Sequence, residues 1–538
     1  MSVKRTPKLC GSDVEVGNFV LSQGGEVTSA LTTGPQASRA LLAEVDGAGD
    51  EQQGYWSGHV YYNYYNAQDW GRKYLHSNGG CIYIDLNHLE LCTPEVVSAW
   101  DQVAAHYALL RIARSAQEQA NAELGEGQEI QVLINNSDGR SNSYGSHLNF
   151  LVDRDTWNNI FHHKLHQMLF LASHQVSSIV LTGQGKVGSE CGQPPAPYQL
   201  AQRADFMETL IGVQTTHNRP LVNSRDEALC GNGGEEYGRI HCIFYDNNLC
   251  PVAQLLKVGA MQIVLAMIEA GDTNLDLLLD DPVRSVVRWS HGADLATRCA
   301  LTSGEQVTAV ELQLRFVSEA RRALELGVLD AVPRADELLD LWEDTLQKLQ
   351  AGDLSAVLGR LDWALKQHIL ETARADRNLD WDAPELKYLD LVYSSLDPAK
   401  GLFWAYDRAG VVEHVVSEDE IDRFVGEPPE DTRAWTRAML LRRLQAASDT
   451  GQVVLDDVDW DEIKVRVDLG RGFREWVRIP LTEPLGATRA DTEALFAHFS
   501  RDDELPLLLA ALGAHLVAAT QNVSKVASDA SSRQGLTH

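Results

Sequence analysis

Acidic, imidazole and amide side chains recur at two-residue steps in the strand-like stretches of this chain. In CGSDVEVGNF, Asp13 and Glu15 stand two apart in a glycine-flanked run, so a strand projects both to one side. In IYIDLNHLEL, alternation sets Tyr83, Asp85 and Asn87 against Ile82, Ile84 and Leu86, and Glu90 follows. In YGSHLNFLV, His147 and Asn149 share a face that Leu148 does not. Carboxylates grouped on one strand face suit Mg²⁺, a hard cation with oxygen ligands. Without cations or donors, burying them is costly. A histidine beside an asparagine suits a metal or phosphate site. Arg219 and Arg225 in NRPLVNSRDE, with Arg239, His241 and Asp246 in GRIHCIFYDNN, offer a clamp for phosphate or carboxylate. The plain alternative is a solvated polar sheet face whose arginines pair with the many acids. GQGKVG (183–188) is glycine-rich, but no GK[ST] follows at Walker spacing. Neither a G-x-S-x-G elbow nor an HExxH helix is present. What remains points to Mg-ATP chemistry on a carboxylate.

The elements that must position these groups are read from periodicity and turn residues. Residues 8–20 and 80–92 are expected as strands, and 95–121 as a helix entered through CTPEVVSAW. EIQVLINN and YGSHLNFLV are expected as a strand pair around the polar turn SDGRSN. FHHKLHQMLFLASHQ reads as helix, and SSIVLTGQGKVG as a strand running into a glycine-rich turn. RPLVNSRDE and GRIHCIFYDNN read as strands, and VAQLLKVGAMQIVLAMIEAG as a helix. Residues 305–375 are helical and charged, most simply a solvated surface. VGEPPEDTRAW punctuates the chain before strand-like EIKVRVDLG and EWVRIPL. Residues 24–55, rich in Gly, Ala and Thr, are expected to be a long mobile insertion, and 522–538 a disordered tail.

At 538 residues the chain exceeds one compact core. Its 44% hydrophobic and 23% charged content is that of a globular protein. A net charge of −30 argues against nucleic acid as a partner. The N-terminus lacks an apolar signal region, and the apolar stretches are too broken to span a bilayer. Eight cysteines without a CxxC pair fit reduced thiols and a cytoplasmic location.

Taken in order, GSDVEVG, WGRKYLHSNGGCIYIDLNHLELCTPE, NNSDGRSNSYGSHLNFLVDR, VLTGQGKVG, QRADF, NRPLVNSRDE, RIHCIFYDNN and PPEDTRAW resemble the Pup ligase and deamidase-of-Pup (depupylase) family. Its members are relatives of the carboxylate–amine ligases. The resemblance implies an α+β fold: a glutamine-synthetase-like large domain over 1–427, with a curved, mainly antiparallel sheet backed by helices. A small C-terminal α/β domain would cover 428–500, and a terminal helix and tail 501–538. It implies Asp85 as the catalytic carboxylate. Asp13, Glu15, Tyr83, Glu90 and His241 would form the metal floor. His147, Asn149, Arg225 and Arg433 would face nucleotide phosphate, and Trp460 would stack on adenine. The implied cofactors are ATP, or ADP with phosphate, and Mg²⁺. The implied substrate is the C-terminal Gln or Glu side chain of a small disordered Pup-like modifier and its lysine-linked conjugates, with proteasome-pathway components as further partners.

DPAKGLF, the block WDEIKVRVDLGRGFREWVRIPLTEPLGATRA and the five-residue step from Asp85 to Glu90 look like the deamidase branch. The expected activity is therefore an amide hydrolase. A ligase joining a glutamyl side chain to an amine is the first alternative, and a catalytically impaired nucleotide- or modifier-binding homologue the second. The chain departs from the family pattern with Asp13 for Glu, Leu148 for Glu, HLE for HPE at 88–90, and ALCG for Pro-His-Ala-Asp at 228–231.

Overall fold

The computed structural model describes residues 5–22, 30–48, 70–230, 235–449, 451–468 and 472–518. Among the described residues, twelve strands lie in the first half of the chain: β1 (Cys10–Glu15), β2 (Gly17–Leu21), β3 (Trp70–Tyr74), β4 (Cys81–Asp85), β5 (His88–Cys92), β6 (Glu129–Leu133), β7 (Ser146–Asp153), β8 (Lys186–Val187), β9 (Tyr198–Gln199), β10 (Met207–Gly212), β11 (Arg219–Asn223) and β12 (Tyr237–Cys242). Eight of them form one sheet in the order β10-β11-β12-β7-β1-β5-β4-β3. Every neighbouring pair is antiparallel except β10–β11. With its helices, the fold is α+β.

The sheet is two-faced because its strands alternate. Val14, Ile82, Ile84, Leu89, Leu91, Leu148, Phe150 and Ile240 project to one side and are buried in the main core. That core also takes in α2 (Ala99–Glu123) and the helix Pro251–Glu269. Pro251–Glu269 is long and apolar enough to cross a membrane, yet it is buried along its whole length. A helix apolar all round is what the centre of a large core requires. The opposite face of the sheet carries the polar residues.

Several elements differ from the sequence expectation. The stretch 80–92 is not one strand but the hairpin β4–β5, turning at Leu86 and Asn87, both at positive φ (45° and 77°). No glycine or proline announces it, although Asn tolerates that conformation. Residues 8–20 divide at Val16, β1 entering the main sheet and β2 pairing with β6. Strands β6 and β7 are therefore not partners; they belong to different sheets. Ile179–Thr182 is a helical turn rather than a strand, buried like the helix Leu165–Ser177 before it. Burial there overrides the β-branched propensity of Ile and Val.

Within the expected mobile insertion, residues Ala30–Ala43 form a helix, α1, with Ala37, Ser38, Leu41 and Leu42 buried against the body. Residues 24–29 and 49–55 of that insertion, and the tail 522–538, lie outside the described residues.

Beyond the Pro-Pro stretch come the helix Ala434–Asp449 and a three-stranded antiparallel sheet of Val453–Val458, Glu462–Asp468 and Arg474–Pro480. The helix Arg489–His498 and helical residues 505–518 follow. Leu440, Leu441, Leu444, Ile463, Val465, Ile479, Leu508 and Leu512 make a second buried cluster, which also contains Tyr74, Cys81 and Cys92 from β3, β4 and β5. One end of the polar face thus lies under the C-terminal segment. Arg437 fastens it, donating to the Gly79 carbonyl at 3.0 Å through Nε. Gly79 has φ +80°, and a Cβ there would sit 2.8 Å from the Ala434 carbonyl oxygen, so no larger residue fits this approach.

Candidate active site

Register decides which polar side chains meet. Across β7, β1, β5 and β4, His147 pairs with Asp13, Asp13 with Cys92, and Cys92 with Cys81. In the next row Glu15 pairs with Glu90 and Glu90 with Tyr83. Asp85 pairs with His88 at the hairpin end. Paired residues in a sheet share a face, so the hairpin folds Glu90 back beside Asp85 rather than displacing it along a single strand. Glu15, Asp85 and Glu90 bring carboxylate oxygens within 4.8 Å of one another. Asp13, Glu90 and His147 make a second group under the same limit, with Glu90 common to both.

Glu90 is 3% exposed, and its Oε2 accepts no hydrogen bond among the described residues. Burial, then the charges of Asp85, Glu15 and Asp13, push its carboxyl well above the usual range, against a hydrogen bond from Tyr83. Glu15 is also raised, chiefly by burial, although the Gly145 N–H donates to it at 2.7 Å and Arg203 and Arg219 lie nearby. Carboxylates so placed repel one another unless a cation stands among them. The orphaned oxygen of Glu90 and the all-oxygen group beside it fit a hard divalent cation.

The imidazoles are neutral. Burial, with Arg203, Arg239, Arg219 and Arg225 adding to it, lowers His147 to about 3; burial and Arg239 hold His241 well below its ordinary value. Their rings meet edge to face, with centroids 5.1 Å apart. His241 Nδ1 lies 2.9 Å from Asn149 Oδ1, which can only accept, so Nδ1 carries the proton and Nε2 keeps its lone pair. Asn149 Nδ2 in turn donates to Asp13 Oδ2 at 2.9 Å. Asn149, expected at a phosphate, thus orients the Asp13 carboxylate from within the sheet.

The arginines divide by environment. Arg225 has a side chain 42% exposed and meets Glu227 at 3.8 Å, leaving it open to an anion. Arg239 is tied down by Asp226, with Nε donating to the Asp226 carbonyl at 2.7 Å. Arg203, which drew no attention in the sequence, is buried with its guanidinium fixed by the Ile243 and Tyr144 carbonyls and Ser143. Burial first, then neighbouring Arg219, lowers it to about 10. No local pattern marks it, because its partners come from two other loops.

Arg433 is anchored by the protein itself. It is buried, its Nε donating to Glu95 Oε1 at 2.7 Å and Nη1 to the carbonyls of Leu229 and Leu481. These bonds hold Nε and Nη1 in an ion pair and against two backbone oxygens. Trp460 lies against the second cluster, with the Arg437 guanidinium 4.7 Å from its ring centroid and its ring edge-on to Tyr74. Lys186 of GQGKVG is likewise consumed, by Glu190 at 2.6 Å. Leu148 points into the core, on the face away from His147 and Asn149. At 228–231, Cys230 is buried against Leu9 and Leu151, and Gly231 lies outside the described residues.

Such an arrangement can hold two cations side by side, present an open arginine to an anion, and set Asp85 at the hairpin end with a carboxyl group able to attack or to move a proton. Comparison with known proteins gives the family and the fold. The family described as Pup-ligase protein matches residues 43–464. A depupylase from Acidothermus cellulolyticus is 36% identical over 417 residues, covering 77% of this chain and 78% of its own. A Pup–protein ligase from Micrococcus luteus is also 36% identical, over 422 residues, covering 76% and 86%. Among solved structures, the complex of the prokaryotic ubiquitin-like protein Pup with its ligase PafA superposes with TM-score 0.73 at 25% identity, over 94% of this chain and 93% of that one. The Pup ligase PafA bound to ADP gives 0.66 at 27%, over 79% and 89%.

Proposed function

Because the chain belongs to the Pup-ligase family, we propose that it forms an amide bond between the side-chain carboxylate at the C-terminus of a small Pup-like modifier and a lysine amine, using ATP and Mg²⁺. The observation that carries this reading is the pair of cation-ready groups sharing Glu90, with Asp85 in one of them and Arg225 open nearby. The ligase direction is supported by the two solved ligases that match the fold. The hydrolase direction, which the sequence alone favoured, is the second reading and is supported by the depupylase relative.

When bound, nucleotide and Mg²⁺ supply phosphate transfer to the carboxylate and neutralise the charge that accompanies it. Glu15, Glu90, Asp13 and His147 would hold the cations, with Tyr83 paired beside Glu90 across the strands. Arg225 takes nucleotide phosphate, and Asn149 keeps Asp13 aimed at the metal. Trp460, over the covered end of the face, borders the nucleobase. Asp85 accepts the proton of the attacking amine; in the reverse sense it activates water or attacks the side-chain carbonyl. The glutamine-synthetase-like curvature expected of the sheet would cradle the modifier's C-terminal residue. Residues up to 427 would be the catalytic domain, 428–500 its small companion and 501–538 an appendage, working in the cytoplasm beside the proteasome pathway.

The test is stoichiometry. With a Pup-like chain ending in Glu and a lysine acceptor, a ligase releases one ADP for each conjugate. Conjugate cleavage far in excess of ADP release rejects the ligase reading and leaves the hydrolase. Neither activity in a protein that still binds ADP rejects both.

A further inference from the structure

The hairpin that presents Asp85 closes on an ill-suited turn. Consecutive positive φ values define the primed turn that matches strand twist, and its first central position favours Asn, Asp or Gly. Here that residue is Leu86, at φ 45°, where a Cβ-bearing side chain crowds the backbone. A contact outside the hairpin must hold such a turn, and Asn18 of β2 is placed to do so. Its Nδ2 donates to the Asn87 carbonyl at 3.1 Å and to the Gly34 carbonyl of α1 at 2.9 Å. Its Oδ1 accepts the Leu89 N–H at 2.9 Å. Asn18 is 6% exposed, so these bonds form away from competing water. The neighbouring Val16 completes the grip: its N–H donates to the Leu89 carbonyl at 3.0 Å, and its own carbonyl lies 2.9 Å from His88 Nδ1.

We propose that Asn18 is a positioning residue for Asp85. One buried amide holds the turn in place and binds it to α1, so hairpin and helix move as one body. This rests on the reading of Asp85 as the reacting carboxylate. Asn18 does not belong to the cation groups, and its effect passes entirely through backbone atoms on either side of the turn. Removing it leaves the Leu89 N–H and the Asn87 carbonyl without their partner and frees the turn to relax, shifting Asp85 relative to Glu15 and Glu90.

The experiment uses the full chain as wild type, Asn18→Ala and Asn18→Asp; the second keeps the shape and the acceptor but loses both donated bonds. Should the alanine variant not fold, the aspartate variant carries the test. Three quantities are measured: turnover with its KM for ATP, ADP affinity in Mg²⁺ by calorimetry, and amide hydrogen exchange over 82–91 and 30–43. The expected result is a loss of kcat of roughly ten- to hundred-fold with KM and ADP affinity unchanged, and faster exchange in the hairpin and α1 together. Changing the turn to Asn-Gly (Leu86→Asn with Asn87→Gly) in the Asn18→Ala background is expected to restore part of kcat, because that pair adopts the turn unaided. Unchanged kcat, kcat and ADP affinity falling in parallel, or faster exchange in the hairpin alone would each overturn the proposal. If wild type itself forms and cleaves no amide bond, the functional reading fails, while the exchange comparison still decides whether Asn18 couples α1 to the hairpin.

Discussion

Replacing Glu90 by Gln should stabilise the protein without Mg²⁺ and destabilise it, relative to wild type, with Mg²⁺. Glu90 is buried, lies among Glu15, Asp13 and Asp85, and has one oxygen with no hydrogen bond among the described residues. Its pKa is raised on folding, so between the unfolded and folded values the folded chain binds more protons. That contribution is fully present below the unfolded pKa and is lost as pH rises through the folded one. Glutamine keeps an acceptor for Tyr83, adds donors for the neighbouring carboxylates and removes the titration. A buried unsatisfied polar group costs about 1–3 kcal/mol, so E90Q in chelator should gain about that much. For a chain of this size, that is roughly 1 °C of Tm per kcal/mol. A single cation at a hundred times its Kd stabilises wild type by about 2.7 kcal/mol, and E90Q, lacking the ligand common to both groups, should receive little of it. Calorimetric melts of both proteins in chelator and in Mg²⁺ should therefore cross. If wild type is the more stable in chelator, or Mg²⁺ raises both melts equally, Glu90 is not the shared cation ligand.

Asp85→Asn should lower turnover by about 10²–10⁴-fold while ADP still binds, as single-turnover assays and calorimetry would report. Burial alone would raise Glu95, but Arg437 and Arg433 hold its carboxyl down at about 2. Its stabilisation, about 3 kcal/mol, is present above the unfolded pKa near 4.5 and should fade as acid brings the pH down towards 2. Arg433→Met should lower Tm and weaken that acid dependence but leave ADP affinity unchanged; a selective loss of ADP binding would return Arg433 to the nucleotide. His147 and His241 should show no imidazole titration by NMR between pH 5 and 8. Because the unfolded chain protonates them near 6.5 and the folded chain does not, they should cost stability as pH falls below that value.

Strand alternation was enough to put Asp13, Glu15, His147 and Asn149 on one face and Leu148 on the other, because a period of two follows from the backbone alone. It could not show which strands are neighbours. Pairing β7 with β1, and not with β6, brings His147 to Asp13, and nothing local in SDGRSN records that choice. The hairpin escaped because Leu86 is the wrong residue for its conformation and the turn is held by Asn18, through a contact 69 positions away in the chain. Helix α1 escaped because Gly, Thr and Pro resist helix in isolation, whereas burial of Leu41 and Leu42 favours it in context. The partner of Arg433 was hidden for the converse reason: arginine suits a phosphate and a buried glutamate equally, so its ion pair with Glu95 could not be read from the sequence.

The second buried cluster bears on how this protein can be cut or recombined. Tyr74, Cys81 and Cys92 come from the strands that carry the acidic face, yet most of the cluster they join lies beyond residue 439, and Glu95 is gripped from the same side. A truncation near the Pro-Pro stretch would bare that apolar underside and strip Glu95 of both arginines. The family match ends at residue 464, inside the strand Glu462–Asp468, so a boundary drawn from it would sever a sheet. A chimera that borrows the C-terminal segment from a relative would have to import matching residues at 74, 81, 92 and 95 as well. The segment is inherited with the floor it covers, not as an exchangeable module.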